Sequence, residues 1–145
     1  MTEAEQRQAV IEEAHRWLRT PYHHAGAVRA AGVDCLQLLV QVYGAVGVIV
    51  SPAVPYYPAD FMLHRSEELY LSGILSYARE VAQPGRGDIA LWRFGRCFSH
   101  AAIVVDWPTI IHAYRREGCV TLGRGDVGEL ADTNRAVKFF SPWEN

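Results

Sequence analysis

At Pro84-Gly85-Arg86-Gly87 the hydrophobic pattern of this 145-residue chain changes period. Upstream, apolar residues recur at the three- and four-residue spacing of helices. Downstream they fall into short runs of strand length. Helices first and strands afterwards is the α+β order, in which a helical layer packs on an antiparallel sheet. In the first part, Thr2 and Glu5 have capping-box spacing, and Val10, Ile11, Ala14, Trp17 and Leu18 share one helical face. That helix is expected to run to Thr20, because Pro21 cannot continue it. A Gly- and Ala-rich loop should follow from His23 to Val33. Asp34 then opens a second helix whose stripe is Cys35, Leu38, Leu39, Val42 and Val46, with Gly47 as its stop. Ser51 to Pro58 reads as a loop and Ser66 to Glu80 as a third helix weakened by Gly73. After the turn, strands are expected at Asp88–Trp92, Ser99–Val105, Thr109–Tyr114, Cys119–Leu122 and Ala136–Phe140. The expectation is a single domain over 1–145, with N-terminal helices on an antiparallel sheet of about five strands.

Composition removes several classes of function. A chain of this length can bury a core without disulfide staples, and three cysteines, an odd count, argue against a disulfide framework. A formal charge of −2 gives no basic face for nucleic acid. No apolar run reaches the ~18–20 residues of a membrane-spanning helix. The segment Met1–Arg19 is acidic and amphipathic, without the basic-then-apolar order of a secretory signal, so synthesis in the cytoplasm is expected.

The chemistry gathers around Cys35. A thiol in the first turn of a helix sits among backbone N–H groups at the positive end of the macrodipole, which favours its thiolate. The same N–H groups suit the oxygen of a tetrahedral intermediate. The competing reading is a small buried hydrophobe on the core stripe. A thiolate nucleophile needs a base, and the base needs a group that orients it. His100 and His112 lie in successive strands joined through Asp106-Trp107-Pro108. Their numbers have the same parity, so an antiparallel register that sets Ala102 opposite His112 brings both imidazoles to one face. His100 then lies diagonally across, about 7–8 Å away along the backbone. A slip of one residue would separate them.

This ordered set resembles the NlpC/P60 cysteine peptidases, papain-like enzymes that cut peptide bonds of bacterial cell-wall peptidoglycan. Thr20-Pro21-Tyr22 is similar to the segment before the nucleophile, and Asp34-Cys35 to the nucleophile dipeptide. Pro84 to Asp88 resembles the turn into the first strand. Ser99-His100 is similar to the base, and Ile111-His112-Ala113 to the third member. The resemblance implies the papain-like NlpC/P60 fold, with Cys35 as nucleophile, His100 as base and then acid, and His112 as orienter. It also implies a place for Tyr22 and Asp34 at the substrate and oxyanion side of the thiol. No cofactor or metal is implied. The family usually follows Asp-Cys with Ser-Gly, where this chain has Leu36-Gln37. Pro55-Tyr56-Tyr57-Pro58-Ala59-Asp60-Phe61 resembles the branch found in phage tails and gene-transfer particles.

The implied activity is hydrolysis of a peptidoglycan stem peptide, at the bond from D-glutamyl to diaminopimelate, by a component of a phage tail or tail tip. Such a virion protein would partner other tail-tip proteins. Its wall targeting would come from a partner, since 145 residues leave no room for a second module. Two other readings stand beside it: a structural tail-tip component of the same fold with little activity, and an amidase or acyltransferase of that fold. Cys97 and Cys119 are expected to pack near the sheet. His23-His24 should be solvated or rim a groove, because no spacing there suits a metal. Trp92, Trp107 and Trp143 are expected in the core or hairpin packing.

Overall fold

The computed structural model describes residues 1–49, 69–95, 97–132 and 135–143. The expected loop Ser51–Pro58, the segment Pro55–Phe61 and the beginning of the helix expected from Ser66 lie outside the described residues. Helix α1 spans Glu3–Arg16. Thr2 Oγ1 accepts from the Glu5 N–H at 3.1 Å, and the Glu5 carboxylate accepts from the Thr2 N–H at 3.4 Å, so the capping box is reciprocal. The helix ends before the expected Thr20. Arg19 adopts a left-handed backbone (φ 73) and donates its N–H to Val120 O at 2.8 Å, while Val120 donates back to Thr20 O at 2.9 Å. A strand edge therefore captures the chain before Pro21 has to break the helix.

Two more differences arise the same way. The expected loop from His23 to Val33 contains a short hairpin, β1 (Ala27–Val28) with β2 (Gly32–Val33), too brief to carry a period in sequence. Helix α3 covers Leu69–Leu75, and Arg79 and Glu80, expected at the end of the helix, belong instead to strand β3 (Arg79–Val81). Its backbone groups pair antiparallel with a later strand, Glu80 opposite Phe140, which outweighs the helical tendency of the sequence.

Helix α2 (Cys35–Val46) starts at Asp34 and stops at Gly47, whose left-handed backbone (φ 82) needs a residue without Cβ. It buries Cys35, Leu38, Leu39, Val42 and Tyr43. The Tyr43 hydroxyl donates to Gly87 O at 2.5 Å and ties this helix to the turn where the hydrophobic period changes.

The remaining strands are β4 (Ile89–Phe94), β5 (Cys97–Asp106), β6 (Thr109–Tyr114), β7 (Cys119–Arg124) and β8 (Val137–Ser141). They form, with β3, a six-stranded sheet in the order β3-β8-β4-β5-β6-β7. Strands β4 to β7 are a meander, and β8 returns to lie between β3 and β4, giving one strand more than expected. Strand parity divides the core. Ile89, Leu91, Ala101, Ile103 and Ile111 pack toward α1 and α2. Ala90, Trp92, Ala102, Val104 and Ile110 pack on the other face against Leu130 of the short 3-10 turn Gly128–Ala131. Trp92 and Trp143 are buried, and Trp107 stacks on Trp92 with ring centroids 6.2 Å apart, so the tryptophans serve packing.

Candidate functional site

Asp34 fixes the start of α2. Its Oδ1 accepts from the Gln37 N–H at 2.9 Å and its Oδ2 from the Ala25 N–H at 2.7 Å. The carboxylate thus serves both the helix cap and the preceding loop, and Asp34 is not among the cleft-lining residues. Leu38 N–H is taken by Asp34 O at 2.9 Å, so the first-turn donors outside the helix's own ladder are those of Cys35 and Leu36. Cys35 is only 4% exposed, and its Sγ lies 3.5 Å from Ser99 O. Leu36 packs against the core, and neither it nor Gln37 lines the cleft. None of the three cysteines is in a disulfide.

We expect Asp34→Ala to destabilise the fold by about 2 kcal/mol, the upper range for a lost cap, because two backbone N–H groups lose their acceptor. Asp34→Asn, which keeps an acceptor oxygen, should lose less. Thermal unfolding of the two variants checks this.

The β5–β6 register sets Ile103 opposite Ile111 and Val104 opposite Ile110. Continued by one residue, it places Ala102 opposite His112. The hairpin reaches this register with a two-residue loop, Trp107-Pro108, plus one extra residue, Val105, between the pairs Val104–Ile110 and Asp106–Thr109. Both imidazoles consequently emerge on the Trp92 face. His100 Nε2 and His112 Nδ1 are 2.8 Å apart, and both rings are buried. Cys35, in contrast, belongs to the helix-face core. The two faces meet at an irregularity in β5: Trp92 pairs with His100, but Arg93 pairs with Phe98, leaving Ser99 as the extra residue beside the thiol.

Burial holds the imidazoles neutral. It pushes the basicity of His100 well below the ordinary range, with His112 and then Arg135 acting in the same direction. His112 is pushed down to about 4 by burial. That state suits a relay. If His100 Nδ1 is to take the thiol proton, its own hydrogen resides on Nε2 and donates to a neutral His112 at Nδ1. Around the pair stand aromatic rings. Tyr114 stacks on His112 with centroids 4.5 Å apart and 19° between planes, and Phe94 meets His100 edge-on at 5.6 Å. The Tyr114 hydroxyl donates to Glu129, and Arg135 donates to Glu129 O at 2.9 Å while lying 3.7 Å over Phe94. Gly123 leaves room behind His112, since a Cβ there would stand 3.2 Å from His112 Nε2.

The neutral, buried pair has a consequence for stability. In the unfolded chain the His112 side chain titrates near its ordinary 6.5, and in the folded protein near 4. Between those values the unfolded state binds more protons, so stability rises with pH through this window and levels off above it. The thermal midpoint should fall as pH drops from about 6.5 to 4, with His100 contributing in the same sense. His112→Asn should flatten that slope. An equal slope in both proteins would contradict the buried-neutral assignment.

Cys35, His100, Tyr22, Ser99, Phe94, Tyr114, Arg115, Arg116 and Glu129 line one open cleft of about 410 Å³. Tyr22 is anchored through its N–H to Gly118 O at 2.8 Å. Its phenol is pushed up by burial first and then by Cys35 and Asp34, while Arg115 acts oppositely. His23 and His24 do not line this cleft, and His24 Nδ1 is 3.9 Å from Asp34 Oδ2. The described residues contain no group of three His, Cys, Asp or Glu side chains placed to hold a metal. They also contain no helix long and apolar enough to cross a membrane. Sequence reasoning did not reach Arg115, Arg116 or Glu129. The paired arginines between two strands were a readable turn signal, whereas Glu129 lies in a connection without a pattern.

No protein-family model matches the sequence, and no curated protein matches it. Solved structures do. The NlpC/P60 domain of the peptidoglycan hydrolase SagA superposes with a TM-score of 0.62 at 19% identity, covering 91% of this chain and 96% of that one. The peptidoglycan hydrolase RipB of Mycobacterium tuberculosis gives 0.65 at 21%, covering all of this chain and 70% of its own. The P60 domain of an antigen of M. avium subspecies paratuberculosis gives 0.65 at 18%, with 98% of each chain covered. Against longer NlpC/P60 proteins, such as those of Bacillus cereus and Staphylococcus aureus, the chain spans 39% and 40% of their length. The fold is the NlpC/P60 fold, an α+β arrangement.

Proposed function

We propose that this protein is a cysteine peptidase acting on the stem peptide of cell-wall peptidoglycan. The observation that carries the reading is the 2.8 Å contact between His100 Nε2 and His112 Nδ1 in a cleft shared with Cys35. With Nε2 engaged, His100 is left Nδ1 for exchange with the thiol. The Cys35 thiolate attacks the scissile carbonyl carbon, and the developing oxyanion is received by the first-turn N–H groups of α2. Protonated His100 gives its Nδ1 proton to the leaving amine as the C–N bond breaks. A water then loses a proton to Nδ1 and attacks the thioester carbonyl, releasing the acid and the thiolate. Tyr22, on the same cleft, flanks the thiol.

The likeness in fold to SagA and RipB, both described as peptidoglycan hydrolases, supports the substrate class. The bond proposed is that between D-glutamyl and diaminopimelate. A digest of purified muropeptides, read by mass, tests it: new amino termini on diaminopimelate are expected, and intact stem peptides after prolonged digestion would overturn the reading. The setting proposed is a phage tail or tail tip, on the resemblance carried by Pro55–Phe61. Its test is whether the chain is recovered with purified particles. An amidase or acyltransferase of the same fold would instead leave the stem peptide uncut and transfer or release another acyl group.

A further inference from the structure

Two arginines enter the cleft from the turn between β6 and β7. Arg116 has a carboxylate nearby, its Nη1 lying 3.6 Å from Glu129 Oε2, and Glu129 also accepts the Tyr114 hydroxyl. Arg115 lines the same cleft and has no carboxylate partner among the described residues. Its side chain is exposed, and it springs from a turn whose backbone is held by hydrogen bonds. Gly118 N–H donates to Tyr114 O at 2.9 Å and to Arg115 O at 3.1 Å, and Glu117 N–H donates to Tyr114 O at 3.0 Å. Gly118 O in turn receives the Tyr22 N–H, which fixes the turn against the segment that carries Tyr22. Arg115 is close enough for its charge to act on the Tyr22 phenol. The wall beside the thiol therefore presents a guanidinium that, among the described residues, forms no ion pair with a carboxylate. Its planar fork matches a carboxylate and gains much less from a neutral amide.

We propose that Arg115 is a specificity-determining residue that receives a carboxylate on a residue flanking the scissile bond, so that the cleft selects an acidic peptide over its amidated counterpart. The proposal rests on the peptidase reading above. The carboxylate can belong to the residue that supplies the scissile carbonyl or to the one that supplies the amine, and the test separates these.

The probes are the tripeptide L-Ala-γ-D-Glu-diaminopimelate and two derivatives, one amidated at the D-Glu α-carboxylate and one at the diaminopimelate carboxylate next to the scissile nitrogen. The wild-type protein should cleave the acid with a kcat/KM roughly tenfold to a hundredfold above one amidated form, the range for a hydrogen bond to a charged group. Arg115→Gln should raise KM for the acid by a similar factor, leave kcat nearly unchanged, and erase the preference. Its rate on the discriminated amide should stay near wild type, which a general loss of structure would not allow. If the wild type treats all three alike, or if Arg115→Gln preserves the preference, the inference falls and the peptidase reading stands. If none of the three is cut, both fall.

Discussion

Cys35→Ala should lower stem-peptide hydrolysis by about 10⁴-fold or more, the scale seen when a nucleophile is removed from a unit of cooperating groups. Residual turnover would come only from binding and the backbone N–H groups. Stability should change little, because the substitution removes one buried atom from a helix start whose geometry is set by Asp34, not by the thiol. The two effects separate chemistry from folding. Iodoacetamide provides the second readout: near pH 7 the wild-type Cys35 should react faster than a free thiol, since the first turn of α2 favours the thiolate. Mass mapping assigns the label among Cys35, Cys97 and Cys119. A Cys35 that labels no faster than a model thiol would remove the nucleophile, and with it the peptidase reading.

How much of this was legible in the sequence depends on how local each cause is. The start of α2 was legible because Asp34 and Gln37 make the cap within a single turn. The common face of His100 and His112 was legible only as a condition: equal parity brings them together in a register that sets Ala102 opposite His112, and a slip of one residue would part them. The way the hairpin reaches that register was not legible. It combines a two-residue loop with an extra residue at Val105, and the choice depends on pairing along both strands. The extra residue at Ser99 is less legible still, because it exists only through the pairing of β5 with β4. Strand β3 escaped for the same reason: Arg79–Val81 is extended because β8 offers it an edge. Glu129 reaches the cleft from the connection between β7 and β8, where neither period nor turn chemistry marks it. Leu36 packs against the core and Gln37 offers its backbone N–H to Asp34, and neither is among the cleft-lining residues.

The histidine pair should divide its roles unequally under mutation. His100→Ala should reduce kcat/KM by about 10³–10⁴-fold, approaching the loss from Cys35→Ala, because a thiol without its base loses both its acceptor and the later proton donor. For His112 the outcome depends on what replaces it. His112→Asn keeps a carbonyl oxygen that can accept from His100 Nε2–H, so the ring stays oriented and the loss should be about tenfold. His112→Leu offers no acceptor to a buried N–H and frees the ring to turn, for which a loss of about 10²-fold is expected from misplacement alone. Rescue by Asn and not by Leu is the signature of an orienting acceptor. Burial makes this arrangement sensitive to acid. Once His112 is protonated, near its folded value of about 4, its Nδ1 becomes a donor, and the 2.8 Å contact then needs His100 Nε2 as acceptor, which moves the His100 hydrogen to Nδ1 and blocks it as base. Activity should therefore fall at the acid end in the wild type as His112 charges, whereas the Asn variant, with nothing to protonate there, should keep its reduced rate further into acid. Acid limbs that coincide in the two proteins would show that His112 accepts nothing from His100 during turnover.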